Sequence, residues 1–140
     1  MSEDRFKDWK HPEFDDRGLT KWNWMCQYPE NLELGKNTDI GAFSYINARF
    51  IVQIGEGVEV GSHCSIYSHS TIDDKKGKVV IERNVKIGTH SVIMPGVTIG
   101  ENTIVGAFSY VTESLPKNVI AFGVPAKVIR QLDESETKER

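Results

Sequence analysis

Aliphatic residues recur along this chain at every sixth position, and a small or apolar residue stands two places before most of them. The longest run is Ile81, Ile87, Ile93, Ile99, Val105 and Val111, and two shorter runs precede it: Leu34, Ile40 and Ile46, then Ile54, Val60, Ile66 and Ile72. A period of six matches neither an amphipathic helix nor a simple strand. It is a repeat period, which predicts a solenoid of stacked, similar units.

Each six-residue unit predicts one short strand followed by one corner. The small residue and the next aliphatic residue are two places apart, so both point inward from the same strand. The corner positions between strands hold residue types that tolerate a positive φ, such as Asn37, Gly57 and Asn84. Three units close one triangular coil, and stacked coils pair their strands in parallel, about 4.8 Å apart, around an aliphatic core.

The repeat is interrupted twice. Two extra residues lie between Ile46 and Ile54, which predicts a bulge. Three extra residues lie between Ile72 and Val79, where the polar sequence DDKKGK predicts a projecting loop. With these allowances the corner residues fall into columns, of which one holds Phe43, His63, Asn84 and Asn102 and another holds Arg49, His69, His90 and Phe108. This register places His69 one coil away from His90.

The repeat divides the chain into three parts. Residues 1–33 are aperiodic and hold all three tryptophans, residues 34–115 carry the repeat, and residues 116–140 form an exit segment. The apolar residues Val128, Ile129 and Leu132 predict a short amphipathic helix in the exit segment.

Length, charge and cysteine content narrow the class of protein. A chain of 140 residues has room for one domain, and its net charge of -3 gives no general attraction to nucleic acid or anionic membranes. Cys26 and Cys64 lie far apart and suggest neither a disulfide framework nor a thiolate zinc site. The chain shows no apolar run typical of an export signal or a membrane span. We therefore expect a cytoplasmic protein with reduced thiols.

The sequence IGTHSVIMPGVTIGENTIVGAFSYVTESLPKNVIAFGVPAKVIR, residues 87–130, joins the hexapeptides PGVTIG and GAFSYV to the exit LPKNVIAFGVPAKVIR. It closely resembles the C-terminal half of the hexapeptide-repeat acyltransferases, the sugar O- and N-acetyltransferases above all. A weaker resemblance extends back to about Leu34. The resemblance implies an all-β fold, a left-handed parallel β-helix with a short C-terminal helix. It also implies assembly as a homotrimer and the use of acetyl-CoA as co-substrate, with no metal.

The resemblance further implies an active site between neighbouring subunits, where a histidine acts as general base toward the acceptor. Imidazole suits this role because it titrates near neutral pH. In sugar acetyltransferases the histidine stands in a His-Pro step before an excursion, whereas this chain has Ser70, Thr71 and Ile72 there. The candidates are His69 and His90. The alternatives are that both are only turn residues, or that the acceptor is an amine, which needs a base less.

For the donor, the resemblance places acetyl-CoA along the groove near the C-terminal coils. Ala107 is small enough for close approach of the pantetheine arm, and the cations Lys117, Lys127 and Arg130 are candidates for the nucleotide phosphates. The alternative is that these three cations only keep an exit segment in solution.

The acceptor candidates lie where the repeat breaks. Asp73 and Asp74 belong to the loop beside His69, and Trp22 and Trp24 could stack on a sugar ring. The alternative for the two tryptophans is an extended strand that caps the first coil, because an uncapped coil exposes backbone edges.

These observations predict an acetyltransferase that acts on a sugar or a nucleotide-linked sugar by direct attack on the thioester. Two alternatives remain open at this point: a β-helix scaffold protein without catalysis, and a metal-dependent hydratase similar to the γ-carbonic anhydrases. Acetyl-CoA binding distinguishes the enzyme from the scaffold, and bound zinc would indicate the hydratase.

Overall fold

The computed structural model describes residues 3–138, and the chain forms a left-handed parallel β-helix of about five coils. The strands, in chain order, are β1 (Met25–Gln27), β2 (Leu32–Leu34), β3 (Asp39–Ile40), β4 (Tyr45–Asn47), β5 (Val52–Ile54), β6 (Glu59–Val60), β7 (Ser65–Tyr67), β8 (His69–Ser70), β9 (Lys75–Lys76), β10 (Val79–Ile81), β11 (Lys86–Ile87), β12 (Val92–Ile93), β13 (Thr98–Ile99), β14 (Ile104–Val105), β15 (Tyr110–Val111), β16 (Val119–Gly123) and β17 (Ala126–Gln131). Short 3-10 turns span Glu3–Phe6 and Pro29–Asn31, and one helix, α1, spans Glu134–Lys138. The predicted fold is confirmed.

Three sheets form the sides of the triangular coil. Sheet A contains β1, β4, β7, β12 and β15, sheet B contains β2, β5, β10 and β13, and sheet C contains β3, β6, β11, β14, β16 and β17. Within these three sheets all strand pairs are parallel except β16 with β17. In each coil the chain passes from sheet B to sheet C to sheet A, and the turns between them are named here corner BC, corner CA and corner AB.

The aliphatic repeat positions stack into one continuous core. Ile46, Ile66, Ile93 and Val111 form the column of sheet A, and each is at most 1% exposed. Small residues fill the space beside the corners: Ser44, Cys64, Ser91 and Ser109 are buried and hydrogen bond to backbone groups of their own coil or the next one. The repeat therefore accounts for these buried serines, as the hexapeptide spacing predicts.

The coil lengths correct the sequence-based register at one place. Ile81 pairs with Ile99, a step of 18 residues, while Ile46 pairs with Ile66, a step of 20, which confirms the two extra residues before β5. Ile66 pairs with Ile93, a step of 27, so the excursion after β7 adds nine residues and not three. Ile72 is therefore outside the core and 98% exposed. Ile72 follows Ile66 at the repeat spacing, but it lies in the excursion. The next strand of the coil after β7 is β10.

The same shift rearranges the corner columns. Corner CA carries Phe43, His63, His90 and Phe108, all with positive φ between 57° and 66°. The prediction that His63 and His90 occupy turn positions is confirmed, since imidazole is tolerated in this conformation. The prediction that His69 lies one coil from His90 at the same corner is wrong. His69 belongs to the excursion at corner AB, where it forms part of strand β8.

The N-terminal segment covers the first coil. Strand β1 pairs with β4 in parallel and extends sheet A by one strand, with Trp24 and Cys26 pointing into the core at 3% and 0% exposure. This supports the capping interpretation of the aromatic segment. Cys26 and Cys64 are both buried and unpaired. Burial raises the pKa of the Cys26 thiol to about 12, so it stays protonated at neutral pH.

The exit segment ends in a hairpin followed by a single turn of helix. β17 runs antiparallel to β16 at the edge of sheet C, so the predicted helix is wrong over residues 126–131, where Val128 and Ile129 are half-exposed. Strand pairing satisfies the backbone edge that β16 would otherwise expose. Within residues 3–138 we find no helix long and apolar enough to cross a membrane.

Candidate functional site

The excursion at corner AB is a small hairpin that carries His69. β8 pairs antiparallel with β9, with His69 opposite Lys76 and Ser70 opposite Lys75. Asp73 and Asp74 lie in the turn between them, and Asp74 has a φ of 51°, which aspartate tolerates. The polar sequence DDKKGK therefore returns the chain to the coil instead of forming an open loop.

Three hydrogen bonds of Ser68 hold the base of this hairpin against the coil. The Ser68 hydroxyl is fully buried, donates to the carbonyl of Asn47 at 2.7 Å and accepts from the backbone nitrogen of Phe50 at 2.9 Å. The backbone nitrogen of Gly77 donates to the carbonyl of Ser68 at 2.9 Å. Because buried hydrogen bonds are costly to break, these contacts fix where the hairpin leaves the coil.

The imidazole of His69 is held on two sides and is only 8% exposed. The ring of Phe50 packs edge-on against it with 5.3 Å between ring centroids. Its Nε2 lies 3.4 Å from Oδ1 of Asp74, a carboxylate that also lies 3.6 Å from the ammonium of Lys76. A carboxylate only accepts hydrogen bonds, so Nε2 carries the proton of this contact and Nδ1 keeps its lone pair in the neutral ring.

Asp73 and Asp74 have different surroundings. A hydrogen bond from the Ser70 side chain holds the pKa of Asp73 below its usual range, and Lys75 lies 3.7 Å away. Asp73 is thus an ionised, solvent-facing group at the hairpin tip. Asp74 instead contacts the imidazole of His69, so the two acidic residues that the sequence assigns to the acceptor differ in what they touch.

His90 lies in a stack of rings at corner CA, separate from His69. The rings of His63 and His90 are 4.7 Å apart and nearly parallel, and Phe108 stacks on His90 at 4.9 Å. Phe43 completes the stack above His63 at 5.2 Å. Thr89 donates its hydroxyl proton to the carbonyl of Ser62, so it accepts from Nδ1 of His90 at 2.8 Å. We call Phe43, His63, His90 and Phe108 the ring stack.

The four donor candidates all lie in the last coils. Ala107 is exposed at corner CA, and its backbone nitrogen approaches Gly88 so closely that a Cβ on Gly88 would lie 2.5 Å away. Phe122 packs on Gly106 and pairs with Lys127 across the β16–β17 hairpin. Ala107 and Lys127 therefore flank one edge of the coil. Arg130 lies further along β17, opposite Ile120.

Arg130 and Lys117 differ from Lys127 in their surroundings. Lys117 is exposed at corner BC, where its backbone nitrogen approaches Gly100. The guanidinium of Arg130 donates to both carboxylate oxygens of Glu136, at 2.8 and 3.0 Å. This bidentate contact lowers the pKa of Glu136 to about 2. Arg130 must exchange this partner before it can bind a phosphate, whereas neither lysine has an ion-pair partner within the described residues.

The two tryptophans assigned to the acceptor are placed differently. Trp24 lies in the core under the first coil, where Phe14 packs edge-on against it at 5.5 Å. Trp22 is 47% exposed, with the ammonium of Lys21 lying 4.6 Å from its ring centroid. Only Trp22 presents a ring face to solvent.

Sequence reasoning missed the residues that hold His69 in place. Phe50 lies in the two-residue bulge before β5. Ser68 lies directly before His69, and nothing in the sequence distinguishes it from the other serines of the coil. Neither position carries a periodic signal, because the repeat is broken at both. Within the described residues no group of three or more His, Cys, Asp or Glu side chains is placed to hold a metal ion.

Comparison with known proteins places the coil in a family. Residues 78–113 match the profile described as bacterial transferase hexapeptide, six repeats. The chain is 36% identical over 119 residues to the galactoside O-acetyltransferase of Lactococcus lactis, covering 74% of this chain and 58% of that protein. It is 36% identical over 127 residues to the galactoside O-acetyltransferase of Escherichia coli, covering 80% of this chain and 63% of that protein.

Solved structures agree with this relationship. A galactoside acetyltransferase in complex with coenzyme A superposes with a TM-score of 0.73 at 32% identity, covering 81% of this chain and 61% of that one. The chain thus spans about three fifths of the length of the relatives it matches. The chain belongs to the hexapeptide-repeat acyltransferase family, as its repeat, its left-handed coil and these similarities show.

Proposed function

We propose that this chain is an acetyl-CoA-dependent acetyltransferase that acetylates a sugar or a nucleotide-linked sugar. The observation that carries the proposal is the 36% identity to galactoside O-acetyltransferases across most of the chain. The names of these relatives favour a hydroxyl as the acceptor. The hairpin supports the same function, since it takes a histidine out of the repeat and holds it against an aromatic ring and a carboxylate.

In this proposal His69 is the general base. Nδ1 accepts the proton of the acceptor hydroxyl or amine while the acceptor oxygen or nitrogen bonds to the thioester carbonyl carbon. The tetrahedral intermediate then expels the thiolate of coenzyme A. The imidazolium gives its proton to this thiolate, so coenzyme A leaves as the thiol. Asp74 is a positioning residue, because its carboxylate holds the Nε2–H and stabilises the imidazolium that forms.

Acetyl-CoA is proposed to lie beside corner CA of the last coils, between Ala107 and Lys127, with Lys117 and Arg130 as further phosphate ligands. His69 is at corner AB, so one chain holds the base and the donor groups at different corners. This separation supports an active site shared between copies of the chain. His90 adjoins the donor side through the ring stack and is proposed to contact the substrate there rather than to replace His69 as the base.

Binding of acetyl-CoA separates this proposal from a scaffold role. Isothermal titration calorimetry of the full chain with acetyl-CoA should show saturable binding, and Lys127→Gln should weaken it, because the ammonium is one of the phosphate ligands. Lys7→Gln is the charge-matched control, since Lys7 is exposed near the N-terminus. An absence of saturable binding by the wild-type chain would contradict the enzyme assignment.

Asp74→Asn tests whether this residue positions His69 or binds the acceptor. We expect kcat to fall about tenfold with the KM values unchanged, because one hydrogen bond to a charged group is lost. Asp73→Asn is the matched control and should retain the wild-type kcat. A raised KM for the acceptor with an unchanged kcat in Asp74→Asn would return Asp74 to the acceptor site.

We also propose that the chain forms a homotrimer in the cytoplasm. Phe43 and Phe108, at the two ends of the ring stack, are 64% and 65% exposed, which supports contact with another copy. The buried, unpaired cysteines and the donor acetyl-CoA support a reducing, intracellular site.

The oligomeric state tests this surface. The double variant Phe43→Ser, Phe108→Ser should shift sedimentation from a trimer toward a monomer, because both rings lose their apolar partner surface. Ile72→Ser removes an equally exposed apolar side chain at the hairpin tip and should leave the trimer intact. A wild-type chain that sediments as a monomer would contradict the assembly.

A further inference from the structure

A cavity lies between the N-terminal segment and the first coil, away from the site already described. Its volume is about 360 Å³, within the range of small-molecule sites. It opens beside corner BC of the first coil, near Thr38 and Asp39. The His69 hairpin is at corner AB, and the donor residues Ala107 and Lys127 are in the last coils. Nothing in the proposed acetyl transfer uses this cavity.

An exposed indole forms one wall of this cavity. Trp9, Trp22 and Trp24 all line it, and Trp22 is the most exposed of the three. Trp24 is in the core, and the indole nitrogen of Trp9 donates to the carbonyl of Thr38 at 2.9 Å. Trp22 is 47% exposed, although a capping role alone would favour burial of so large a side chain. A half-exposed indole at a concave surface is a platform for a ring.

The charges around the cavity are unevenly satisfied. Arg5 on one wall is paired with Asp39 and Glu59, so this cluster is neutralised within the chain. Lys10 and Lys21 also line the cavity, and neither has a carboxylate partner among the described residues. Lys21 lies over the ring of Trp22, so one cation is already next to the platform. An anionic group on a ring-shaped ligand would satisfy both lysines.

One acidic residue adds a further requirement. Asp8 lines the cavity without an ion-pair partner among the described residues. A carboxylate accepts hydrogen bonds and is suited to sugar hydroxyls. A compound that has a ring face, a negatively charged group and hydroxyls would therefore contact the indole, the two lysines and the carboxylate together.

We propose that this N-terminal cavity binds a phosphorylated sugar compound, either a sugar phosphate or a nucleotide. The ring or base lies on Trp22, the phosphate lies between Lys10 and Lys21, and a hydroxyl donates to Asp8. The site is separate from the proposed acetyl transfer, because none of the residues that line it belongs to the His69 hairpin or to the donor residues of the last coils. It binds its ligand in the absence of acetyl-CoA.

Calorimetric titration of the full chain tests the site with four probes: UMP, glucose 1-phosphate, uridine and inorganic phosphate. We expect UMP or glucose 1-phosphate to bind at least about tenfold more tightly than uridine or phosphate, because ring and charge act together. Preferential binding of UMP identifies a nucleotide site, and preferential binding of glucose 1-phosphate identifies a sugar phosphate site.

Variants locate the bound probe. Trp22→Ala should weaken binding about tenfold, and the double variant Lys10→Gln, Lys21→Gln should weaken it at least as much. Lys7→Gln and His69→Ala should bind like the wild type. The proposal is overturned if neither phosphorylated probe binds, or if Trp22→Ala binds the probe as tightly as the wild type. The His69→Ala arm keeps this result separate from any loss of acetyl transfer.

Discussion

Replacing His69 by alanine should lower the kcat of acetyl transfer by about 10² to 10⁴-fold, the usual contribution of a positioned general base. The physical reason is local. The imidazole is 8% exposed, packed against Phe50 and in contact with Asp74, so the ring is held in one orientation and alanine provides no group to take the proton. Steady-state kinetics on the purified variant measure the loss, and calorimetry should show unchanged affinity for acetyl-CoA.

Two comparisons make the His69 result specific. His69→Gln keeps a polar side chain of similar reach but no basic nitrogen, and it should be as slow as His69→Ala. His90→Ala removes the other candidate histidine from the ring stack and should keep most of the wild-type kcat. A His69→Ala enzyme with wild-type kcat would remove this residue from the mechanism, and a larger loss in His90→Ala would move the base to corner CA.

Ile81→Ala should lower the free energy of unfolding by about 2 to 5 kcal/mol, because it opens a cavity in the core. Ile81 is 1% exposed and lies between Ile54 and Ile99 in sheet B. Ile72→Ala is the matched control, since this side chain is 98% exposed and its loss should cost no more than about 0.5 kcal/mol.

Denaturation in guanidinium chloride at one fixed protein concentration measures both variants, because an oligomer's apparent stability depends on concentration. If Ile81→Ala fails to fold, Ile81→Val gives the same ranking with an expected loss of about 0.5 to 1.5 kcal/mol. Equal losses in the Ile81 and Ile72 variants would support the sequence-based register, in which both residues point inward, and would contradict the excursion of nine residues.

The contrast between these two isoleucines shows how far the sequence determines the fold. The period of six gives the coil, its inward residues and its corners, because each hexapeptide repeats the same local geometry. Ile72 follows Ile66 at that same period, so spacing alone assigns it to the core. The pairings of β10 with β5 and of β12 with β7 show that the coil resumes later. Parallel pairing between coils is long-range and cannot be read from local spacing.

The candidate site follows the same division. The sequence identifies His69 as a candidate because it lies beside a polar interruption, but it also allows a simple turn role. The structure removes the turn role, since His69 lies in strand β8 and lacks the positive φ of His63 and His90. Phe50 and Ser68 could not be predicted, because their role depends on how two breaks in the repeat meet in space. The predicted helix in the exit segment was wrong for a related reason. Residues 126–131 pair as a strand with the edge of sheet C, and this pairing cannot be read from local spacing.

Acetyl transfer itself is the measurement closest to the proposed function. The full chain is incubated with acetyl-CoA and a panel of galactosides, amino sugars and nucleotide-linked sugars. Free thiol release and the mass of the sugar product are recorded together. We expect stoichiometric release of coenzyme A with one acetyl group added to at least one sugar, at a rate that falls in His69→Ala. Saturable acetyl-CoA binding without an acetylated sugar from any member of the panel would contradict the proposed activity.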